Sequence, residues 1–438
     1  MLQCKTKWKK EHLKNILEDS YAGGTPNRSR EDFYEGTIPW VTSGEVNQSK
    51  IIETNEYITD LGYKNSSAKM IPKNTVLLAM YGATAGQVSM LKIPATSNQA
   101  VLAIIPCKEL DKNYLYHNLR YFKERILFSA QGSGQTNLSK ELVEKYKITF
   151  PTNTEEQAKI ADILSTCDEV IEKTEETIEK YKQIKAGMMQ DLFTRGLDEN
   201  GKLRPTYPQA PGLYKYSKEL DRYIPKDWDI KTFNELIQKN VIDSIQDGNH
   251  GEKHPKTSDF VAAGVPFIMA NNLTKNGHID LKNCNFITYE QYKSLRIGFS
   301  TENDVLLTHK GTVGLTAIVP SGVKDIMLTP QVTYYRIKDY SKLDNQYLYT
   351  YFQSPMFQNI LQGLSEQSTR AYIGITKQAE LNCVYMDINE QRNMGKIVAK
   401  MNDKLKYEKD ILSKYRQIKQ GLMKRLLTPP VDAEIVEE

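Results

Sequence analysis

The chain has 438 residues, 39% of them apolar, and a formal net charge of +4: enough for two to four cored domains, too little charge to name a polyanionic partner unaided. No run of eighteen apolar residues occurs, and no apolar segment follows the basic opening Lys5, Lys7, Lys9 and Lys10, so neither a membrane span nor a signal peptide is expected. The cysteines, Cys4, Cys107, Cys167, Cys284 and Cys383, make no Cys-x-x-Cys pair, which argues against a cysteine zinc site and fits a reduced, cytoplasmic setting.

Residues 1–152 read as a mixed, β-rich lobe. Turn signals such as Gly23-Gly24-Thr25-Pro26, Ile71-Pro72-Lys73-Asn74 and Tyr81-Gly82 punctuate apolar runs such as Ile38-Pro39-Trp40-Val41 and Val76-Leu77-Leu78. Helices are expected near Asn113–Phe128 and Ser139–Lys147. From 153 to 196 the apolar residues Ile160, Ile163, Leu164, Cys167, Val170, Ile171, Ile178, Tyr181, Ile184, Met188 and Leu192 recur at helical spacing with no internal proline. Asn153, three before Glu156, offers a cap and a reciprocal carboxylate. A run of roughly 40 residues reaches about 60 Å at about 1.5 Å per residue, and one apolar face that long calls for a long partner.

Residues 197–212 read as a polar linker. From 213 to 386 the first lobe returns in weaker form: Val265-Pro266-Phe267-Ile268 echoes Ile38-Pro39-Trp40-Val41, Val305-Leu306-Leu307 with Gly311 and Gly314 echoes Val76-Leu77-Leu78 with Gly82 and Gly86, and Pro330-Gln331 answers Asn98-Gln99. From 387 to 428 the long helix returns, with Asp387 three before Glu390 and an apolar stripe from Met394 through Val398, Leu405, Tyr415 and Ile418 to Leu426. Tyr181-Lys182-Gln183-Ile184-Lys185 lies over Tyr415-Arg416-Gln417-Ile418-Lys419 without a gap. An acidic tail, 429–438, closes the chain. The expected fold class is α+β: two mixed β-rich lobes separated by two long helices that pair as an antiparallel coiled coil, with internal pseudo-two-fold symmetry.

The glycine turns do not follow a nucleotide-binding spacing. Glycine lets backbone come close to a partner, and the neighbouring Tyr81, Thr84, His309, Lys310 and Thr312 carry hydrogen-bonding groups suited to base edges or phosphates. Ser43, Glu45, Asn98 and Gln99 in the first lobe and Asn271, Asn272 and Gln331 in the second have the donor and acceptor chemistry of base readers. Gln135 and Thr136, and Gln367 and Arg370, stand in amide-rich loops just before each lobe's last segment. Taken singly, each is more often a turn former or a solvated surface group. His250 and His254 have metal-pair spacing, but Gly248, Gly251 and Pro255 argue against a helix there, and no metal site is expected. No Asn/Asp-Pro-Pro-aromatic tetrapeptide and no nuclease or helicase constellation stands out, so no catalysis is expected from the chain itself.

Gly23-Gly24-Thr25-Pro26, Ile38-Pro39-Trp40-Val41, the Gly82–Gly86 turn, Glu155-Glu156-Gln157 and Glu390-Gln391, in that order and largely repeated, resemble the specificity subunit of a type I restriction-modification system. The resemblance covers nearly the whole chain; the second lobe departs from it in lacking a Gly-Gly-Thr-Pro counterpart within Gln246-Asp247-Gly248-Asn249-His250. It implies two target-recognition domains that read a split double-stranded DNA sequence and helices that set the spacing. It also implies docking of two methyltransferase subunits and, through them, restriction-translocase subunits, with S-adenosylmethionine, ATP and Mg on those partners and no cofactor in this chain. Two other classes remain open: a coiled-coil scaffold whose lobes bind proteins or glycans, and a self-sufficient nuclease or methyltransferase with a diverged site.

Overall fold

Val76-Leu77-Leu78-Ala79 leaves no polar face, and the strand it forms is covered on both sides. Successive side chains of a strand point to opposite faces. Val76 and Leu78 pack with Leu102 and Ile104 against helical Tyr114, Leu115 and Leu119, while Leu77 and Ala79 pack with Val101 and Ala103 against Val41, Val46 and Ile71. The computed structural model, which describes residues 7–130, 137–251, 253–366 and 372–437, divides into two units, residues 1–175 with 410–438 and residues 176–409.

In the first unit a five-stranded sheet has the order 17–22, 101–106, 76–79, 88–91, 50–51. A three-stranded sheet of 56–58, 34–41 and 96–97 makes a second β layer. Helices Lys112–Tyr121, Lys123–Ala130 and Lys140–Lys145 fall near the expected positions. In the second unit the sheet 242–247, 332–337, 305–310, 312–318 has its own second layer, 285–287, 265–268, 326–328, 299–300. The same alternation recurs: Val305 and Leu307 face helical Tyr347 and Phe352, and Leu306 faces Ile268 and Leu328.

The long helices run Thr154–Leu192 and Ile388–Leu426. Each opens on a side-chain cap: Asn153 Oδ1 accepts from the Glu155 N–H and Asp387 Oδ1 from that of Asn389, both at 2.8 Å. One turn on, each carries a fully buried glutamine that ties it to its unit. Gln157 donates to the carbonyls of Glu109 (2.9 Å) and Pro151 (2.8 Å) and accepts from the Asp111 N–H (2.7 Å). Gln391 does the same with Lys342 (3.0 Å), Met386 (2.9 Å) and Asp344 (3.1 Å). Within the first unit the two helices run antiparallel, since Asp168 pairs with Lys419 and Glu175, further along, with the earlier Arg416. Within the second, Lys404 lies over the Tyr181 ring, 4.4 Å from its centroid.

Four expectations change. Glu390 does not turn back to cap its helix. It is buried, accepts from the Leu197 N–H (2.8 Å) and Trp228 Nε1 (3.2 Å), and pairs with Arg204 at 2.7 Å, because those buried donors need an anion. For the same reason residues 197–212 are not a free linker: Leu197 is in the core and Arg204 is held against Glu390 and Asp227. The acidic tail forms a strand, Glu434–Glu437, added in parallel to Lys7–Lys10 and joined to it by the Lys10–Glu437 pair at 2.5 Å. The apolar stripe is only partly covered. Ile160, Leu164, Ile178, Met394, Val398 and Leu405 are buried, but Ile163, Ile184, Tyr415 and Ile418 are exposed.

Candidate nucleic-acid interface

Four loops of the first unit meet at one edge of the five-stranded sheet, knit by backbone hydrogen bonds. Gly24 donates to Ser97 (2.8 Å), Asn98 to Val41 (3.0 Å), Val101 to Asn98 (3.2 Å), Met80 to Ala100 (2.7 Å) and Leu138 to Met80 (2.9 Å). Gly23 is required here, since a Cβ on it would lie 2.0 Å from the Ser97 carbonyl oxygen. The loops bring together Thr25, Ser43, Tyr81, Thr84, Asn98 and Gln99, with the Thr25 hydroxyl donating to the Gln99 carboxamide oxygen. Behind them, Trp40 Nε1 donates to the Gly24 carbonyl at 3.0 Å, and the Arg28 guanidinium lies over the Tyr34 and Trp40 rings while paired with Glu56.

The second unit repeats this frame bond for bond. Asn249 donates to Leu328 (3.3 Å), Thr329 to Ile268 (3.0 Å), Val332 to Thr329 (3.1 Å), His309 to Gln331 (2.9 Å) and Ile373 to His309 (3.0 Å). The equivalences are Gly24 with Asn249, Asn98 with Thr329, Ala100 with Gln331, and Met80 with His309. Two readings of the sequence are thereby corrected. Gln331 stands where Ala100 does, one position off the expected match with Gln99. The Gly-Gly-Thr-Pro segment does have a structural counterpart, Gly248, whose added Cβ would lie 2.1 Å from the Leu328 carbonyl oxygen. Conformation, not residue pattern, carries that likeness, and only glycine leaves room for it.

The proposed contact residues sort by exposure. Tyr81, Gln99, Asn271, Lys310 and Thr312 are exposed, and Ser43, Thr84, Asn98 and Gln331 are half-buried. Glu45, Asn272 and His309, expected as contact residues, are buried. Glu45 accepts from the Thr42 N–H (2.8 Å) and the Asn55 N–H (2.8 Å), and Asn272 accepts from the Met269 N–H (2.9 Å), so both shape the loop from within. His309 Nδ1 is 3.0 Å from the Ile373 carbonyl; burial holds its imidazole below its ordinary pKa against the pull of Asp247. Such a ring is neutral at physiological pH and braces the loop that ends in Lys310. Gln135, Thr136, Gln367 and Arg370 lie outside the described residues. Thr25 and Arg28 belong to the edge; in the sequence Thr25 stood out only as part of the Gly23-Gly24-Thr25-Pro26 turn and Arg28 not at all, and the glycine pair beside them was the available signal. His254 Nδ1 lies 2.9 Å from the Asn249 carbonyl, and among the described residues no group of three or more His, Cys, Asp or Glu is placed to hold a metal ion. Among them also, no helix is long and apolar enough to cross a membrane.

Residues 5–183 match the family model for the type I restriction modification DNA specificity domain. The type I restriction enzyme MjaIX specificity subunit of Methanocaldococcus jannaschii is 26% identical over 309 residues, covering 69% of this chain and 66% of that protein, just under two thirds of its length. The MjaVIII specificity subunit of the same organism is 24% identical over 365 residues, covering 82% and 79%. Among solved structures, the type I restriction-modification S subunit of M. genitalium superposes with a TM-score of 0.61 over 98% of both chains at 18% identity, a likeness of fold.

Proposed function

We propose that the chain is a type I restriction-modification specificity subunit, that it reads a bipartite double-stranded DNA target, one half with each loop edge, and that it docks two methyltransferase subunits. The observation that carries this is the repeated frame: two edges with the same backbone bonds present different side chains, Tyr81 beside Lys310, Gln99 beside Pro330. Two differing readers call for two differing half-sites. The long helices act as the ruler. Ile184 and Ile418 hold matching places on the two helices and both are exposed, as two copies of one partner would require. Base modification and cleavage, with S-adenosylmethionine, ATP and Mg, fall to partner subunits.

Exchanging residues 1–150 for those of a relative is expected to change one half of the methylated sequence and leave the other intact, as read by methylation mapping in a host carrying the chain and its methyltransferase. Change in both halves counts against separate readers. Inserting a helical turn after Lys173 is expected to lengthen the unread spacer with both halves unchanged; an unaltered spacer removes the ruler role. Absence of salt-dependent duplex binding turns the reading toward a protein- or glycan-binding scaffold.

A further inference from the structure

The equivalence of Gly24 and Asn249 hides a difference in what surrounds them. In the first unit a Cβ at Gly24 would lie 2.3 Å from Ser67 Oγ and 2.4 Å from the Ala68 nitrogen, so the backbone of 67–68 fills the space beside the loop. In the second unit the residue is an asparagine, and a cavity of about 240 Å³ lies beside it, lined by Asn249, His250, Gly251, Lys253, Ser294, Leu295 and Arg296. Asn249 is only 3% exposed. Its Oδ1 accepts weakly from the Arg296 N–H (3.4 Å) and its backbone is tied to Leu328 and His254. Among the described residues its Nδ2 has no hydrogen-bond partner. A buried amide donor left unmade costs about 1–3 kcal/mol, which an acceptor seated in the cavity would recover.

The groups around this donor define what it takes. Lys253 and Arg296 bring two exposed cations to the rim. His250 lies at the mouth with its Nε2 2.7 Å from the Asp247 carboxylate. Cations, a buried amide donor and a polar cavity at the edge of a reading loop suit an oxyanion held by charge and oriented by a hydrogen bond. We infer that this cavity seats one phosphodiester group of the bound duplex, anchoring the second unit on the DNA backbone in a way the first unit does not share. The inference rests on the DNA-reading role proposed above.

The test uses the full chain with its methyltransferase and a duplex carrying the mapped target. Lys253→Ala with Arg296→Ala is expected to weaken binding about tenfold near 0.15 M salt and to lower the slope of log affinity against log salt by about one to two. Replacing backbone phosphates singly by methylphosphonate in the second half-site is expected to find one position that costs the parent affinity and costs the double variant nothing. Asn249→Asp, which puts a carboxylate where the phosphate would sit, is expected to lose more than the double variant; if that buried change prevents folding, the exposed pair still decides. An unchanged slope and no sensitive position overturn the phosphate site. So does inorganic phosphate that binds the parent, measured calorimetrically, while duplex affinity in both proteins stays equal, since the site would then serve a small anion. Failure of the parent to bind any duplex instead overturns the DNA-reading role.

Discussion

Gly24 and Asn249 donate to equivalent carbonyls, as do Met80 and His309, yet neither pair shares a side chain. By contrast, Gln157 and Gln391 make three equivalent hydrogen bonds with the same residue type, and a Cβ added at Gly23 or Gly248 would meet the equivalent carbonyl oxygen at 2.0 or 2.1 Å. The difference teaches which parts of each unit are frame. Where the side chain, or the lack of one, is what closes a backbone bond, the two units agree. Where the backbone bonds close without it, they are free to differ. Frame and reading are therefore separable, and substitutions matched across the units measure how completely.

The largest contrast is expected at Glu390 and Glu156, which stand one residue before the shared glutamines. Glu390 is 7% exposed and holds Arg204 and Trp228, whereas Glu156 is half-buried. Glu390→Ala leaves the Leu197 N–H and Trp228 Nε1 without their buried acceptor and Arg204 with only the exposed Asp227, and is expected to cost about 3 kcal/mol. Glu156→Ala is expected to stay within about 0.5 kcal/mol. Denaturant unfolding with hydrogen exchange read separately in each unit checks both; equal losses would mean that the ion pair is not the second unit's own lock.

Next comes an acid-linked difference. His117, fully buried in the first unit, stands where the second has Thr350, each six residues into the helix that Asp111 or Asp344 caps. Burial pushes the His117 imidazole down from its ordinary 6.5 to about 4, with Asp168, 3.9 Å from Nδ1, pulling the other way. The unfolded chain therefore binds the proton first, and stability falls as pH drops from about 6.5 to about 4, by about 3 kcal/mol at most. His117→Thr is expected to flatten that fall. Urea unfolding of parent and variant across the window decides it, and parallel pH curves would show that the histidine is not the cause.

The glycines come third. Gly23→Ala and Gly248→Ala each force a methyl into a carbonyl and are expected to cost about 1–3 kcal/mol and to weaken reading of that unit's half-site alone. Gly44→Ala, whose nearest neighbour would be 3.8 Å away, is expected to be neutral. If Gly44→Ala proved as harmful as Gly23→Ala, close packing would not be what selects glycine at the edge.

Much of the plan is written in periodicity. The two helices, their caps at Asn153 and Asp387, and the repeat of strand and glycine turn were readable because 3.6- and 2-residue periods and turn residues depend on local chemistry. The site was less readable. Glu45, Asn272 and His309 have the chemistry of base readers, but that chemistry also suits a loop braced from within, and only burial tells the two apart. Gln331 could not be set against Ala100, nor Gly248 against Gly23, because the correspondence lies in which carbonyl each backbone meets. Likewise nothing local in Glu390 announces Arg204, a partner brought to it by the fold.

The smallest contrast is between two lysines in matching places. Lys419 in the first unit pairs with Asp168, and burial lowers its pKa while that carboxylate raises it back. Lys185 in the second unit meets Gln353 at 3.3 Å, and burial, with Lys409 adding to it, lowers its pKa with no carboxylate among the causes. A lysine whose folded pKa is below its unfolded value binds fewer protons when folded, so its penalty is fully present at neutral pH and fades as pH rises toward about 10.4. Lys185→Met keeps the stem and removes that penalty. It is expected to be neutral or to stabilise by about 0.5 kcal/mol at pH 7, with the gain shrinking by pH 10. Lys419→Met, which strips Asp168 of its closest cation, is expected instead to cost about 1 kcal/mol. Thermal unfolding at pH 7 and pH 10 measures both, and a loss at Lys185 as large as that at Lys419 would mean that the second unit supplies a counter-charge equal to Asp168.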